Sequence, residues 1–343
     1  MWKARIATHP VDAPKPSKLL SKTLLLAGAT VTVLAALEFV ARVVGWGGMV
    51  EFEPSDDWGL LMRPRQRVWM YGVPVEINSM GLRGPELQNT KARGEKRVVF
   101  LGDSITYGGG RIGEKQLFCR VVEARARAEG ISIESVNLSA PSWSPQNWIG
   151  YVNKRGLHDP DAVVPILPEC DLSRGFSRMN QAGLREKAPM FRLQTLALRL
   201  RAMHFQARAG AEQSPSGGRQ KEVAANLSAI DHLKQKCRGI PLLVVLVPSE
   251  IPARPDKDLW PVYMPQLGEL LDLREPLQDP KYFLDGVHLN VLGNEFVGER
   301  ILPRLRELLR SELGAGRSNI ERDSKFSSPA RCSGAQLHLC SMQ

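Results

Sequence analysis

Four short strand-like runs, three continuously apolar and one (131–138) alternating, constrain the fold of this chain more than any other feature. They are RVVFL (97–101), ISIESVNL (131–138), AVVPIL (162–167) and PLLVVLV (241–247), each bounded by Gly, Pro or polar residues. LLDL (270–273) is a shorter candidate of the same kind. Between and after them the apolar period changes to that of a helix. Residues 116–129 repeat through Leu117, Val121, Ala124 and Ala128, and Gly130 stops them. Residues 222–236 repeat through Val223, Leu227, Ile230 and Leu233, and residues 291–313 through Phe296, Ile301, Leu305 and Leu308. Short apolar strands alternating with amphipathic helices predict an α/β fold, a parallel sheet covered on both faces. Ligands of such sheets gather at the carboxyl ends of the strands. Ahead of this region, residues 67–71 and 73–78 read as two strands turning at Gly72, and NSMGLRGPE as a Gly/Pro-rich connection.

With 43% hydrophobic residues in 343, the chain is neither a disordered polypeptide nor a small disulfide scaffold. The pattern divides it into a basic leader (1–22), an apolar segment (23–46), an extension (47–95) and a main domain (96–313). A basic insertion (174–221) interrupts that domain, and a tail rich in Ser, Gly and Arg (314–343) reads as disordered. The tail holds Cys332, His338 and Cys340, one ligand short of a structural zinc site, so no metal is expected. The net charge of +10 is concentrated: ten Lys/Arg face only Glu186 and Glu212 in the insertion, while the rest of the domain is nearly balanced. No nucleic-acid-binding motif accompanies it, which speaks against a nucleic-acid partner.

Residues 23–44 are long and apolar enough to cross a bilayer as a helix. Glu38 and Arg42 interrupt its far end at a spacing that lets them pair on one helix face or snorkel. Lys3, Arg5, Lys15, Lys18 and Lys22 precede the run, and Glu51, Glu53, Asp56 and Asp57 follow it. That asymmetry predicts an uncleaved signal anchor, N-terminus in the cytoplasm and the domain across the membrane, periplasmic in a Gram-negative cell. Ala27-Gly28-Ala29, the small-residue site a signal peptidase would need, falls too early in the run.

RVVFL leads directly into Gly102-Asp103-Ser104, which puts a serine at the carboxyl end of a strand with glycines around it. A serine hydroxyl becomes a nucleophile when a base takes its proton, and neutral imidazole is the usual base. Asp285-Gly286-Val287-His288 supplies one, with a carboxylate three residues away that can fix the tautomer and balance the imidazolium. The next helix, near Gln116, starts too far on to cap Ser104. His158 and His232 read as surface or turn residues.

VVFLGDSITYG and FLDGVHLNVLGN resemble the first and last conserved blocks of the SGNH/GDSL hydrolases; VNLSAPSWSPQ resembles the second block and VVPILPECDLSR the third. The resemblance covers residues 96–310 in family order, and INSMGLRGPE after an apolar helix is similar to bacterial membrane-anchored members. It implies a three-layer α/β/α sandwich with a flavodoxin-like sheet and acyl-ester chemistry without metal or cofactor. The nucleophile would be Ser104, the base His288 and the orienting carboxylate Asp285. The family's second-block Gly falls on Ser142 and its third-block Asn on Cys170. The oxyanion hole would then comprise the Ser104 N–H, Ser142 and Cys170, with a thiol, a weak donor, in place of an amide.

The expectation is a membrane-anchored serine ester hydrolase, slowed by that hole and acting on carbohydrate or lipid acyl esters. Transfer of the acyl group to a polysaccharide, or a binding protein that keeps the fold, are the alternatives; sequence leaves the oligomeric state open. Within the insertion, Leu193, Ala197, Leu200 and His204 could line one helix face and Arg192 and Arg199 another. The reading adopted is a solvated helix with its arginines in water; contact with anionic lipid or an acidic polysaccharide is the other. SPSGGR (214–219) reads as a linker.

Overall fold

The strand Lys96–Gly102 (β5) is almost wholly buried, because each of its faces feeds a separate core. Val99 and Leu101 point into one core, Val98 and Phe100 into the other, as the two-residue period of a strand requires. The computed structural model describes residues 18–179, 184–208, 216–248 and 260–326. Around β5 lie Ile133–Ser139 (β6), Ala162–Pro168 (β7), Val244–Val247 (β8) and Leu270–Asp272 (β9), all parallel, in the order β6-β5-β7-β8-β9. This is the flavodoxin-like order. The register runs Lys96↔Ile133 to Gly102↔Ser139 on one side of β5 and Val98↔Ala162 to Leu101↔Pro165 on the other.

Helices Phe118–Ala128 (α3) and Val291–Phe326 (α8) cover one face through Phe118, Val122, Val297 and Ile301. Helices Pro145–Arg155 (α4) and Ser216–Lys236 (α6) cover the other through Trp148, Tyr151, Ile230 and Leu233. The result is a three-layer α/β/α sandwich. Before it come two antiparallel hairpins, Phe52–Ser55 (β1) with Gly59–Met62 (β2), and Gln66–Met70 (β3) with Val73–Ile77 (β4). Leu60, Met62 and Val75 of these hairpins join the core on the α4 and α6 side. The turns Ser104–Tyr107 (α2) and Trp260–Tyr263 (α7) complete the helices, with Arg192–Arg208 (α5) and Lys18–Val44 (α1).

α1 is long and apolar enough to cross a membrane, and nearly all of that stretch stands clear of the rest of the protein. A core helix would be covered. Several elements depart from the expected ones. α6 begins at Ser216, inside the stretch read as a linker, and α8 continues past Leu313 to Phe326, through part of the tail read as disordered. Regular pairing of the PLLVVLV strand is confined to Val244–Val247. Val163 exchanges backbone bonds with Pro241 and Leu243, but two residues on Pro165 has no N–H to offer and the ladder is interrupted. Residues 1–17 and 327–343, with Cys332, His338 and Cys340, lie outside the described residues.

Candidate active site

Ser104, Ser142 and Cys170 follow the carboxyl ends of β5, β6 and β7, so three adjacent parallel strands deliver them to the same end of the sheet. The helix after Gln116 does start too far on to cap Ser104, but Ser104 itself opens a one-turn helix, α2, that the sequence reading did not include. Asp103 caps it: its Oδ1 accepts the Ile105 N–H at 2.8 Å. Gly108, at φ +77°, closes the turn with its N–H on the Ser104 carbonyl at 2.9 Å. The close approach of α2 to β5 needs Gly102, since a Cβ there would stand 1.9 Å from Thr106 Oγ1.

His288 reaches this turn from 184 residues away. Its Nε2 lies 3.1 Å from Ser104 Oγ, and its Nδ1 lies 3.0 and 3.1 Å from the two oxygens of Asp285. The loop that carries them is set from within. Gly286 adopts φ +81°, and Asp285 Oδ1 accepts the backbone N–H of His288 at 2.9 Å and of Val287 at 3.3 Å. Burial acts to raise the Asp285 carboxyl, but hydrogen bonds from the His288 backbone and ring outweigh it and hold it below the usual aspartate value. An ionised carboxylate only accepts, so Nδ1 carries the proton and the Nε2 lone pair faces the serine. Two asparagines after His288 fasten the loop to the sandwich. Asn290 accepts the Gly293 N–H at the start of α8, and buried Asn294 accepts the Phe118 N–H at the start of α3.

Ser142 takes φ +64°, the left-handed region that favours glycine, and its carbonyl accepts the hydroxyl of Ser177. Cys170 is exposed, in the 3-10 turn Glu169–Leu172, its Sγ 3.2 Å from Arg174 Nη2 and 3.6 Å from Asp171 Oδ1. His158 precedes β7 and so lies at the opposite end of the sheet, its ring on the Tyr151 hydroxyl at 3.0 Å. Among the described residues no group of His, Cys, Asp and Glu could hold a metal.

Three groups near the site escape sequence reasoning because an ionisable side chain drawn into the fold is written in the same letters as a solvated one. Arg174 reaches Asp103 Oδ2 at 3.3 Å and Asp171 Oδ1 at 3.0 Å, joining the residue before Ser104 to the turn that bears Cys170. Asp171 is wholly buried, and its Oδ2 has no hydrogen-bond partner. Burial, and secondarily the nearby Asp103, push its carboxyl well above the ordinary range against the pull of Arg174. Arg83, from the NSMGLRGPE connection, is buried and donates to the carbonyls of Tyr107 (2.8 Å), Gly109 and Ile112 (2.5 Å), which pins the loop after α2. Its Nε stands 3.4 Å from Glu114 Oε2 without the alignment of a hydrogen bond, an ionic contact only.

No family model matches the chain, and no curated protein matches it. Solved structures do. A lipase/acylhydrolase from Enterococcus faecalis is 14% identical with a TM-score of 0.37, the match covering 62% of this chain and 96% of that one. An acetyl xylan esterase from Geobacillus stearothermophilus is 14% identical with a TM-score of 0.37, over 61% and 93%. A lipolytic protein of the G-D-S-L family from Desulfitobacterium hafniense is 14% identical with a TM-score of 0.36, over 61% and 98%. The structures the chain is similar to are thus lipases and esterases, one of them of the G-D-S-L family. Likeness of this strength says nothing of substrate; the chemistry rests on the site's own geometry.

Proposed function

We propose that this protein is a membrane-anchored serine ester hydrolase of the SGNH type. The observation that carries the reading is the Ser104–His288–Asp285 relay, with 3.1 Å between Oγ and Nε2 and 3.0 Å between Nδ1 and the carboxylate. Ser104 Oγ attacks the ester carbonyl carbon while its proton passes to Nε2, and Asp285 balances the imidazolium. The tetrahedral adduct expels the alcohol oxygen, which takes that proton from Nε2 and leaves an acyl-serine. Water, deprotonated by the same nitrogen, releases the acid and restores the hydroxyl.

The negative oxygen of the adduct calls for donors on the side of the Ser104 N–H, Ser142 and Cys170. Positive charge stands on that side in Arg174, 3.2 Å from Cys170 Sγ. With the side chains of His288 and Asp285 39% and 50% exposed, the site is open enough for an ester carried on a large molecule. Acyl esters of surface carbohydrate or lipid, met outside the cytoplasm, are the substrate class we assign. The basic leader supports that orientation, with α1 as the anchor. The full chain in detergent should hydrolyse p-nitrophenyl acetate, and Ser104→Ala and His288→Asn should each reduce the rate to the uncatalysed level. Full activity in either variant refutes the relay.

A further inference from the structure

The basic insertion does not behave as a solvated helix. α5 turns two of its arginines inward: Arg192 Nη1 donates to the Gly47 carbonyl at 3.2 Å, and Arg199 donates to the Gly48 carbonyl at 2.8 Å and to the Tyr71 hydroxyl. The Arg199 guanidinium also lies over the Tyr71 ring. Thr195 is buried on the same side. What faces out over residues 190–201 is largely apolar, with Gln194 and Arg201 as the polar members. Met190 is 79% exposed and Leu200 67%, and Phe191 and Ala197 are exposed with them. Water would favour the reverse arrangement.

The start of α5 is tied to α1. Glu38 accepts the backbone N–H of Arg192 at 2.9 Å and of Leu193 at 3.1 Å, capping α5 with a carboxylate from another helix. Arg42, paired with Glu38 at 2.8 Å, donates to the Met190 carbonyl at 2.8 Å. The two charges that interrupt the apolar run thus have a structural employment. Their level also follows. Residues 20–37 rise about 27 Å, close to the roughly 30 Å of a hydrocarbon core, so Glu38 falls at its outer boundary. α5 begins there, and its later contacts, to Gly48 and Tyr71, hold it at the end of α1 instead of letting it run back alongside. Exposed Trp46 lies just past the same end, as aromatic residues do at the headgroup level.

We propose that α5 is an in-plane interfacial helix that docks on the outer leaflet of the membrane α1 crosses. Met190, Phe191, Ala197 and Leu200 enter the acyl boundary, and Glu38 sets the depth. The occupant of this face is lipid. The inference rests on the anchoring role of α1 and is independent of the chemistry at Ser104. It makes the domain sit on the bilayer rather than swing above it.

The test uses the full chain in nanodiscs of phosphatidylcholine and phosphatidylglycerol, with Cys170, Cys332 and Cys340 replaced by Ser. A nitrobenzoxadiazole probe is placed in turn by Leu200→Cys, Phe191→Cys, Leu34→Cys within α1, and Arg127→Cys on α3. Lipids carrying a doxyl group on the acyl chain should quench the probes at 200, 191 and 34 by about twofold or more and leave that at 127 bright. Unquenched probes at 200 and 191 beside a quenched probe at 34 overturn the inference while keeping the anchor. An unquenched probe at 34 overturns both.

Discussion

Replacing Asp171 with Asn should change how stability depends on pH. The side chain is fully buried, with one oxygen 3.0 Å from Arg174 Nη2 and the other lacking any hydrogen-bond partner. Burial raises its carboxyl well above the ordinary value, so the folded protein keeps a proton that an unfolded aspartate, at about 3.9, has lost. Between those two values the folded state binds more protons than the unfolded state. Stability then falls as pH rises, by about 1.4 kcal/mol for each pH unit within the window. Asp171→Asn keeps the shape and the acceptor for Arg174 but has no proton to lose, so this slope vanishes. Urea unfolding in detergent, followed by near-ultraviolet circular dichroism from about pH 4 upward, gives the comparison. Asp285, held below its usual value, acts in the opposite sense and loses its contribution as pH falls, but it is common to both proteins and cancels in the difference. The variant should gain on the wild type steadily as pH rises above about 4. Parallel curves would show that Asp171 is ionised in the fold and refute the reasoning.

Ser142→Gly relieves a left-handed residue, which costs about 1–2 kcal/mol with a side chain. Part of the gain is returned as glycine's entropy, so the urea midpoint should rise by the equivalent of about 1 kcal/mol; a fall would mean the Ser142 side chain is itself needed. Arg83→Met leaves the Tyr107, Gly109 and Ile112 carbonyls without their donor and should cost about 3 kcal/mol of unfolding free energy in the same assay. A cost near zero would show that the loop after α2 holds itself. Cys170→Asn replaces a weak S–H donor by an amide and should raise kcat for p-nitrophenyl acetate by about 10². An unchanged kcat would place the limiting step away from the oxyanion.

The sheet was legible because β5, β7 and β8 are buried on both faces and therefore appear as continuous apolar runs, while β6 shows by its alternation, and β6 and β7 keep nearly the predicted limits. The hairpin of β1 and β2 was not, since Phe52-Glu53-Pro54-Ser55 neither alternates nor avoids proline. α2 is a single turn, too short for any period to show, although Asp103 ahead of Ser104 is a capping signal in retrospect. Ser104, Asp285 and His288 could be read because each sits at a break between elements, where a polar side chain has no packing duty. Arg83, Asp171 and Arg174 could not, since nothing in a sequence separates an ionisable group taken into the fold from one left in water. The same blindness reversed the reading of α5. Its arginines look like a solvated face until the carbonyls of Gly47 and Gly48 are found beneath them.

The account stands on Ser104 being the group that takes the acyl chain. Treating the full chain with a fluorophosphonate and sequencing the modified peptide by mass spectrometry tests this most directly. A single adduct on Ser104, absent from Ser104→Ala and strongly slowed in His288→Asn, is the predicted result. An adduct on another residue, or labelling that survives Ser104→Ala, would contradict it.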